Sequence, residues 1–245
     1  MKHIITQTEG QVKRIYLNRP EVLNAINEEM VLELLEELNA LKEDKTTKIV
    51  IIRGKGRAFC SGIDLKAATA ESFQKDGAFM DAGLKLGKLI QSLPQVFIAQ
   101  VHGYCFTGAL EFMLFFDLMY CDTETQFGDT HSKWSIMPRW GLTQRLSRKV
   151  GLEKAKELSF RAMRIKGKET ARIGLVNAVF APERLEQEVQ NITQDILSNS
   201  FEAISKIKQL YNQGFQTTLE QGLVIEQQAD SKLSSTAQNL KKFKK

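Results

Sequence analysis

Two short apolar runs, residues 48–53 and Val96–Val101, each stop at a cluster of small residues, and sequence of helical spacing follows. Unbroken β-branched runs of this length, without polar alternation, are the pattern of strands buried on both faces, as in a parallel sheet covered by helices. A third run, at residues 118–121, repeats the arrangement behind a helix expected from Gly108 onward. Recurrent strand–helix alternation of this kind predicts an α/β fold. Ahead of these runs, residues 2–8 and 12–18 alternate like two strands joined at Glu9-Gly10. Asn27 is placed to cap a helix reaching about Glu43. Met30, Val31, Leu34, Leu35, Leu38 and Leu41 share one face of it, and Glu28, Glu29, Glu33, Glu36 and Glu37 lie on the other. A further helix is expected over residues 71–92. After Leu142 the pattern is almost wholly helical, apart from a short strand at residues 176–180. Segments 185–199, 201–213 and 217–235 read as helices. Their apolar residues, Leu197, Ile204, Ile207, Leu210, Leu219 and Leu223, need a partner surface.

A chain of 245 residues buries about three quarters of its unfolded surface. That suits one large domain, residues 1–184, with an appended helical region at residues 185–245. The longest apolar stretch, residues 112–120, is interrupted by Asp117 and is too short to cross a bilayer. The first residues run straight into strand-like alternation without the apolar core of a signal peptide, so a cytoplasmic location is expected. Cys60, Cys105 and Cys121 have no ligand-like spacing; buried, reduced thiols are expected there, and no metal site. The net charge of +5 suits a phosphate-bearing ligand. By itself it does not separate such a ligand from nucleic acid or a membrane surface. The basic residues are scattered, except in the terminal Lys241-Lys242-Phe243-Lys244-Lys245, which reads as a solvated end.

Two segments place small residues where a strand turns into a helix. One is Gly56-Arg57-Ala58-Phe59-Cys60-Ser61-Gly62-Ile63-Asp64-Leu65. The other is Val101-His102-Gly103-Tyr104-Cys105-Phe106-Thr107-Gly108-Ala109-Leu110-Glu111. Small residues admit a ligand close to the backbone, and the first turn of a helix has N–H groups without intrahelical partners. Such amides suit an anionic oxygen. Spacing alone leaves the plainer alternative, two tight turns, open.

Both segments resemble the signature loops of the crotonase family, the enoyl-CoA hydratases and isomerases. The resemblance covers nearly the whole chain, in order. Leu17-Asn18-Arg19-Pro20 with Leu23-Asn24-Ala25 is similar to the family's opening. Phe127-Gly128, Gly141-Leu142-Thr143-Gln144-Arg145-Leu146 and Ala171-Arg172-Ile173-Gly174-Leu175-Val176 are similar to later landmarks. The resemblance implies a spiral of β-β-α turns whose C-terminal helices assemble a trimer or a hexamer. It implies an acyl-CoA thioester as substrate, coenzyme A being part of the substrate rather than a separate cofactor. It further implies that the backbone amides of Ser61 and Gly108 hold the thioester oxygen, and that Val22, Ala58, Gly62, Ile63 and Asp64 lie along the bound molecule.

In the hydratases of this family two glutamates flank the enoyl group. The first matches Glu111, placed to activate a water for attack on Cβ. A carboxylate amid Ala109, Leu110, Phe112, Met113 and Leu114 is costly without a purpose. The second matches His131, twenty residues on, in Asp129-Thr130-His131. Histidine exchanges a proton near neutrality and Asp129 is placed to orient it, so His131 is either the replacement acid or a spectator. The turn Thr107-Gly108-Ala109 has less glycine than hydratases usually carry there. Trp134 and Trp140 either narrow an acyl pocket or pack in the core. The implied reaction is reversible hydration of a 2-enoyl-CoA to a 3-hydroxyacyl-CoA. Isomerisation, decarboxylation and thioester hydrolysis are the alternatives within the family. RNA binding, known for some relatives through a basic helix, is disfavoured because the matching helix here is acidic.

Overall fold

The computed structural model describes residues 1–66, 77–230, 232–234, 236 and 240. They divide into two compact units, Met1–Gln190 and Asn191–Lys245. The chain opens as an antiparallel hairpin, β1 (Ile4–Glu9) with β2 (Val12–Leu17). Helix α1 (Glu28–Ala40) starts where Asn27 accepts the Met30 N–H at 3.1 Å, and its buried face is Met30, Val31, Leu34 and Leu38. The helix ends three residues before the expected Glu43; Leu41 continues into a turn and is still buried. Its acidic face serves the hairpin. Glu33 accepts the main-chain N–H groups of Lys2, His3 and Ile4, and Glu37 pairs with Lys13.

Strand β3 (Ile49–Gly54) lies parallel to β2. Helix α2 (Ala78–Ser92) covers the C-terminal part of the expected 71–92 helix, whose residues 71–76 lie outside the described residues. Next come β4 (Val96–Val101), β5 (Tyr104–Phe106), α3 (Gly108–Met113), β6 (Leu118–Asp122) and β7 (Gln126–Gly128). Helices α4 (Leu142–Val150) and α5 (Leu152–Phe160), strand β8 (Arg164–Lys166), helix α6 (Gly167–Arg172) and strand β9 (Ala178–Phe180) complete this part. Among the described residues, six strands form one sheet in the order β1-β2-β3-β4-β6-β9, parallel from β2 onward. All of β4 and all but one residue of β3 are buried, hence their unbroken apolar runs.

A second sheet, β5-β7-β8, supplies the second strand of the β-β-α turns that the resemblance implied, although spacing alone did not reveal its strands. Each of its strands has three residues, too few for a period to show. It gives the chain its spiral. Strand β4 turns at His102-Gly103 into β5, and β6 turns into β7, so each pass lays one strand in each sheet before a helix. A parallel main-chain β-bridge between residues Cys60 and Cys105 adds the first glycine-bearing turn to the second sheet. Phe97, Phe112, Phe115 and Phe116 interlock in the core around α3 through stacked and edge-on ring contacts. Cys60, Cys105 and Cys121 are free and buried. No helix among the described residues is long and apolar enough to cross a membrane.

Helix α7 (Leu185–Leu197) runs across the boundary of the two units. Within the second unit, α8 (Phe201–Gly214) and α9 (Leu219–Gln228) pack together where Gly214 meets Gly222. Ile207, Tyr211, Phe215, Leu219 and Leu223 remain exposed there, around an apolar cavity of about 650 Å³. The basic end of the chain, residues 241–245, lies outside the described residues.

Candidate active site

The two glycine-bearing turns abut. A Cβ on Gly62, whose φ is +112°, would sit 2.9 Å from the Phe106 carbonyl and 3.7 Å from the Gly108 nitrogen. A Cβ on Gly108 would press on the Ile63 side chain at 2.7 Å and lie 3.4 Å from the Ile63 nitrogen. Only glycine lets these backbones come so close. The opening motif braces this junction. Asn24 donates to the carbonyls of Lys55 and Ala58 and accepts from Arg19 N–H, each at 2.8 Å. The Arg19 guanidinium donates to Ala25 O at 2.6 Å and pairs with Asp64 at 2.9 Å.

Beside the junction is a cavity of about 440 Å³, whose wall includes Val22, Ser61, Ile63, Asp64, Thr107 and Thr130. Trp134 and Ile136 line its apolar side. Arg57, Lys66, Lys133 and Arg164 also line it. These four cations come from separate segments, so nothing in the sequence marked them as a group. Ala58 is fully buried behind the wall with its carbonyl held by Asn24, and the Gly62 carbonyl accepts Ile26 N–H at 2.8 Å.

The expected pair of amides, Ser61 and Gly108, needs a correction at Ser61. The Ser61 N–H donates to Leu23 O at 3.0 Å and is not free for a ligand. In the parallel bridge between Ile26 and Ile63, Ile26 bonds to the carbonyl of Gly62 and to the amide of Asp64, which leaves the Ile63 N–H facing away from that partner. Among the described residues neither Ile63 N–H nor Gly108 N–H has a hydrogen-bond acceptor. The unpartnered amides at the junction are therefore those of Ile63 and Gly108.

Behind Thr107 and Thr130, whose hydroxyls share a 2.6 Å hydrogen bond, three ionisable groups lie in a row. Glu111, on the first turn of α3, is 1% exposed, and His131 is 4% exposed. One Glu111 oxygen accepts the main-chain N–H groups of Trp140 (2.7 Å) and Leu142 (3.1 Å). The other is 3.3 Å from His131 Nε2. His131 Nδ1 is 2.5 Å from Asp129 Oδ1. Burial pushes the His131 pKa down, but its hydrogen bonds to Asp129 and Glu111 outweigh this and raise it to about 9. The imidazole is therefore charged at neutral pH, and the titration expected near neutrality moves to alkaline pH. Burial likewise works to raise Asp129, but hydrogen bonds from His131 and Ser159 hold its carboxyl below the usual range.

The two tryptophans separate. Trp134 is 54% exposed and lines the cavity. Trp140 is 1% exposed, edge-on to Phe79 at 5.6 Å and lying directly on Gly83 of α2. Its indole is core packing, while its main chain holds Glu111.

The family model for enoyl-CoA hydratase/isomerase matches residues 7–244. The chain belongs to that family. It is 34% identical to the crotonyl-CoA hydratase of Syntrophomonas wolfei over 229 residues, 93% of this chain and 88% of the relative. It is 32% identical to the short-chain-enoyl-CoA hydratase of Clostridium acetobutylicum over 237 residues, 96% and 91% of the two chains. The crystal structure of enoyl-CoA hydratase from Bacillus anthracis superposes with a TM-score of 0.93 at 30% identity, covering 99% of this chain and 96% of that one. The α/β spiral with a parallel sheet and flanking helices is thus the fold of this family, as the motifs implied.

Proposed function

We propose that the protein catalyses reversible hydration of a 2-enoyl-CoA to a 3-hydroxyacyl-CoA, with Glu111 and His131 as the proton-transfer pair. The observation that carries this reading is the Glu111–His131 contact, buried behind the cavity wall beside the unpartnered amides of Ile63 and Gly108. Names among the similar proteins, crotonyl-CoA hydratase and short-chain-enoyl-CoA hydratase, support a short acyl group.

In this reading the N–H groups of Ile63 and Gly108 donate to the thioester oxygen as it gains charge, a contribution of about 3–4 kcal/mol per donor. Glu111 takes a proton from water as the water oxygen bonds to Cβ. The imidazolium of His131 gives its Nε2 proton to Cα as the enolate collapses. Glu111 then returns its proton to the neutral imidazole across their 3.3 Å contact, and the pair is restored. Val22, Asp64 and the cavity's four basic residues face the CoA portion, and the four basic residues complement its phosphates in charge. Asp64 acts mainly through Arg19, by holding the opening loop in place. The exposed apolar residues of α8 and α9 are the proposed contact of a trimer or hexamer.

The deciding experiment is a panel of enoyl-, β-ketoacyl- and malonyl-type CoA thioesters with products identified by mass spectrometry. A mass gain of one water on crotonyl-CoA is expected. Loss of carbon dioxide or migration of a double bond, with no hydration, moves the assignment to another reaction of the family.

A further inference from the structure

Asp129 belongs to the buried row but makes no contact that the hydration steps use. Its Oδ1 receives two bonds from one residue, the His131 ring Nδ1–H at 2.5 Å and the His131 main-chain N–H at 3.2 Å. Those two bonds fix both the backbone and the ring plane of His131, and so aim Nε2 at Glu111. Asp129 is 1% exposed, follows directly on β7, and is hydrogen-bonded in turn by Ser159 of α5. The charges facing the imidazole are both carboxylates, Asp129 from the end of β7 and Glu111 from α3. From the ring's own turn, Lys133 lines the cavity instead.

We propose that Asp129 is a positioning residue that keeps His131 doubly protonated, with Nε2–H directed at Glu111, and thereby restores the pair after each turnover. The proposal rests on the hydration reading above. During turnover Glu111 gains one proton from water and His131 loses one to Cα. The return transfer runs from Glu111 to Nε2 only while the imidazole is the better home for the proton. A carboxylate at Nδ1 makes it so, because it favours the charged ring over the neutral one. An amide at position 129 still accepts Nδ1–H but brings no charge, so Asp129→Asn separates the charge from the geometry.

The test is an NMR titration of the imidazole signals. The chain has three histidines, His3, His102 and His131, and His131→Gln assigns the last by subtraction. In the wild-type protein the His131 ring is expected to stay charged up to about pH 9. In Asp129→Asn its midpoint is expected to fall by about one unit or more, since one unit corresponds to a tenfold change in proton affinity. The alkaline limb of crotonyl-CoA hydration is expected to move down with it, so that the loss relative to wild type deepens about tenfold for each pH unit between the two limbs. A wild-type ring that titrates at or below about 6.5, the free imidazole value, overturns the proposal without any variant. So does an Asp129→Asn enzyme whose activity falls equally at every pH with the limb unmoved, the signature of a purely structural role. Should the wild-type protein hydrate no enoyl thioester while the ring titration moves as expected, the positioning role stands and the hydration reading falls alone.

Discussion

Both Glu111 oxygens have partners: one is held by two main-chain N–H groups, and the other faces His131 and keeps a second lone pair for a water. Glu111→Gln keeps the shape but removes the base, and hydration is expected to fall by about 10²–10⁴. His131→Gln is expected to cost a comparable factor, measured on the same thioester; a loss below about tenfold would make His131 a spectator. Gly108 tests the amides. It is the first residue of α3, where proline's fixed φ is tolerated, so Gly108→Pro deletes the donor with little damage to the helix. A loss of about 10²–10³ in kcat is expected. Gly108→Ala is the control, since it crowds Ile63 but keeps the N–H; equal losses in the two variants would assign the effect to crowding. The Ser61 expectation is corrected by pairing that lies outside the turn itself. Which amide of a tight turn is free depends on its partners, here Leu23 and Ile26, about forty residues earlier in the chain.

At the scale of elements, α3 begins under strain. Thr107 has φ 52° and ψ −111°, a conformation costly for a β-branched residue and of the kind found at functional sites. Its hydroxyl bond to Thr130 ties the start of α3 to the segment carrying Asp129 and His131. Helix α2 and the turn before α4 meet through Trp140, whose indole lies on Gly83. Trp140→Ala is expected to cost about 3–5 kcal/mol in urea unfolding by leaving a cavity. Trp140→Phe is expected to cost much less, because the indole N–H has no partner among the described residues to lose. In both variants the main-chain N–H to Glu111 persists, so a destabilised but chemically competent enzyme is expected; a collapse of kcat with unchanged stability would place the indole in the active site instead.

For the whole molecule, the buried row links stability to pH. The His131 pKa is raised on folding, so the stabilisation of its charged form is fully present below the free imidazole value of about 6.5 and fades as pH rises through about 9. Asp129 is held below its usual range, and its share is lost on the acid side as pH falls through its lowered pKa. The unfolding temperature is therefore expected to drop between about pH 7 and pH 10, and His131→Gln is expected to flatten that drop. Light scattering at micromolar concentration tests the assembly. Exposed Tyr211, Phe215 and Leu219 lead us to expect a trimer or hexamer, and a monodisperse monomer would rule it out.

The sequence by itself determined the elements that are long enough to carry a period: the buried strands β3 and β4, the capped helix α1, and the family motifs that place Glu111 and His131 twenty residues apart. These are local signals, written in spacing and residue type. Only the tertiary structure decided which amides of the two turns stay unpartnered, because main-chain pairing joins segments distant in sequence. It also decided that four scattered cations line one cavity and that three-residue strands make a second sheet. The protonation of His131 was beyond the sequence for the same reason. A histidine on its own titrates near neutrality, and only the fold encloses this one between two buried carboxylates.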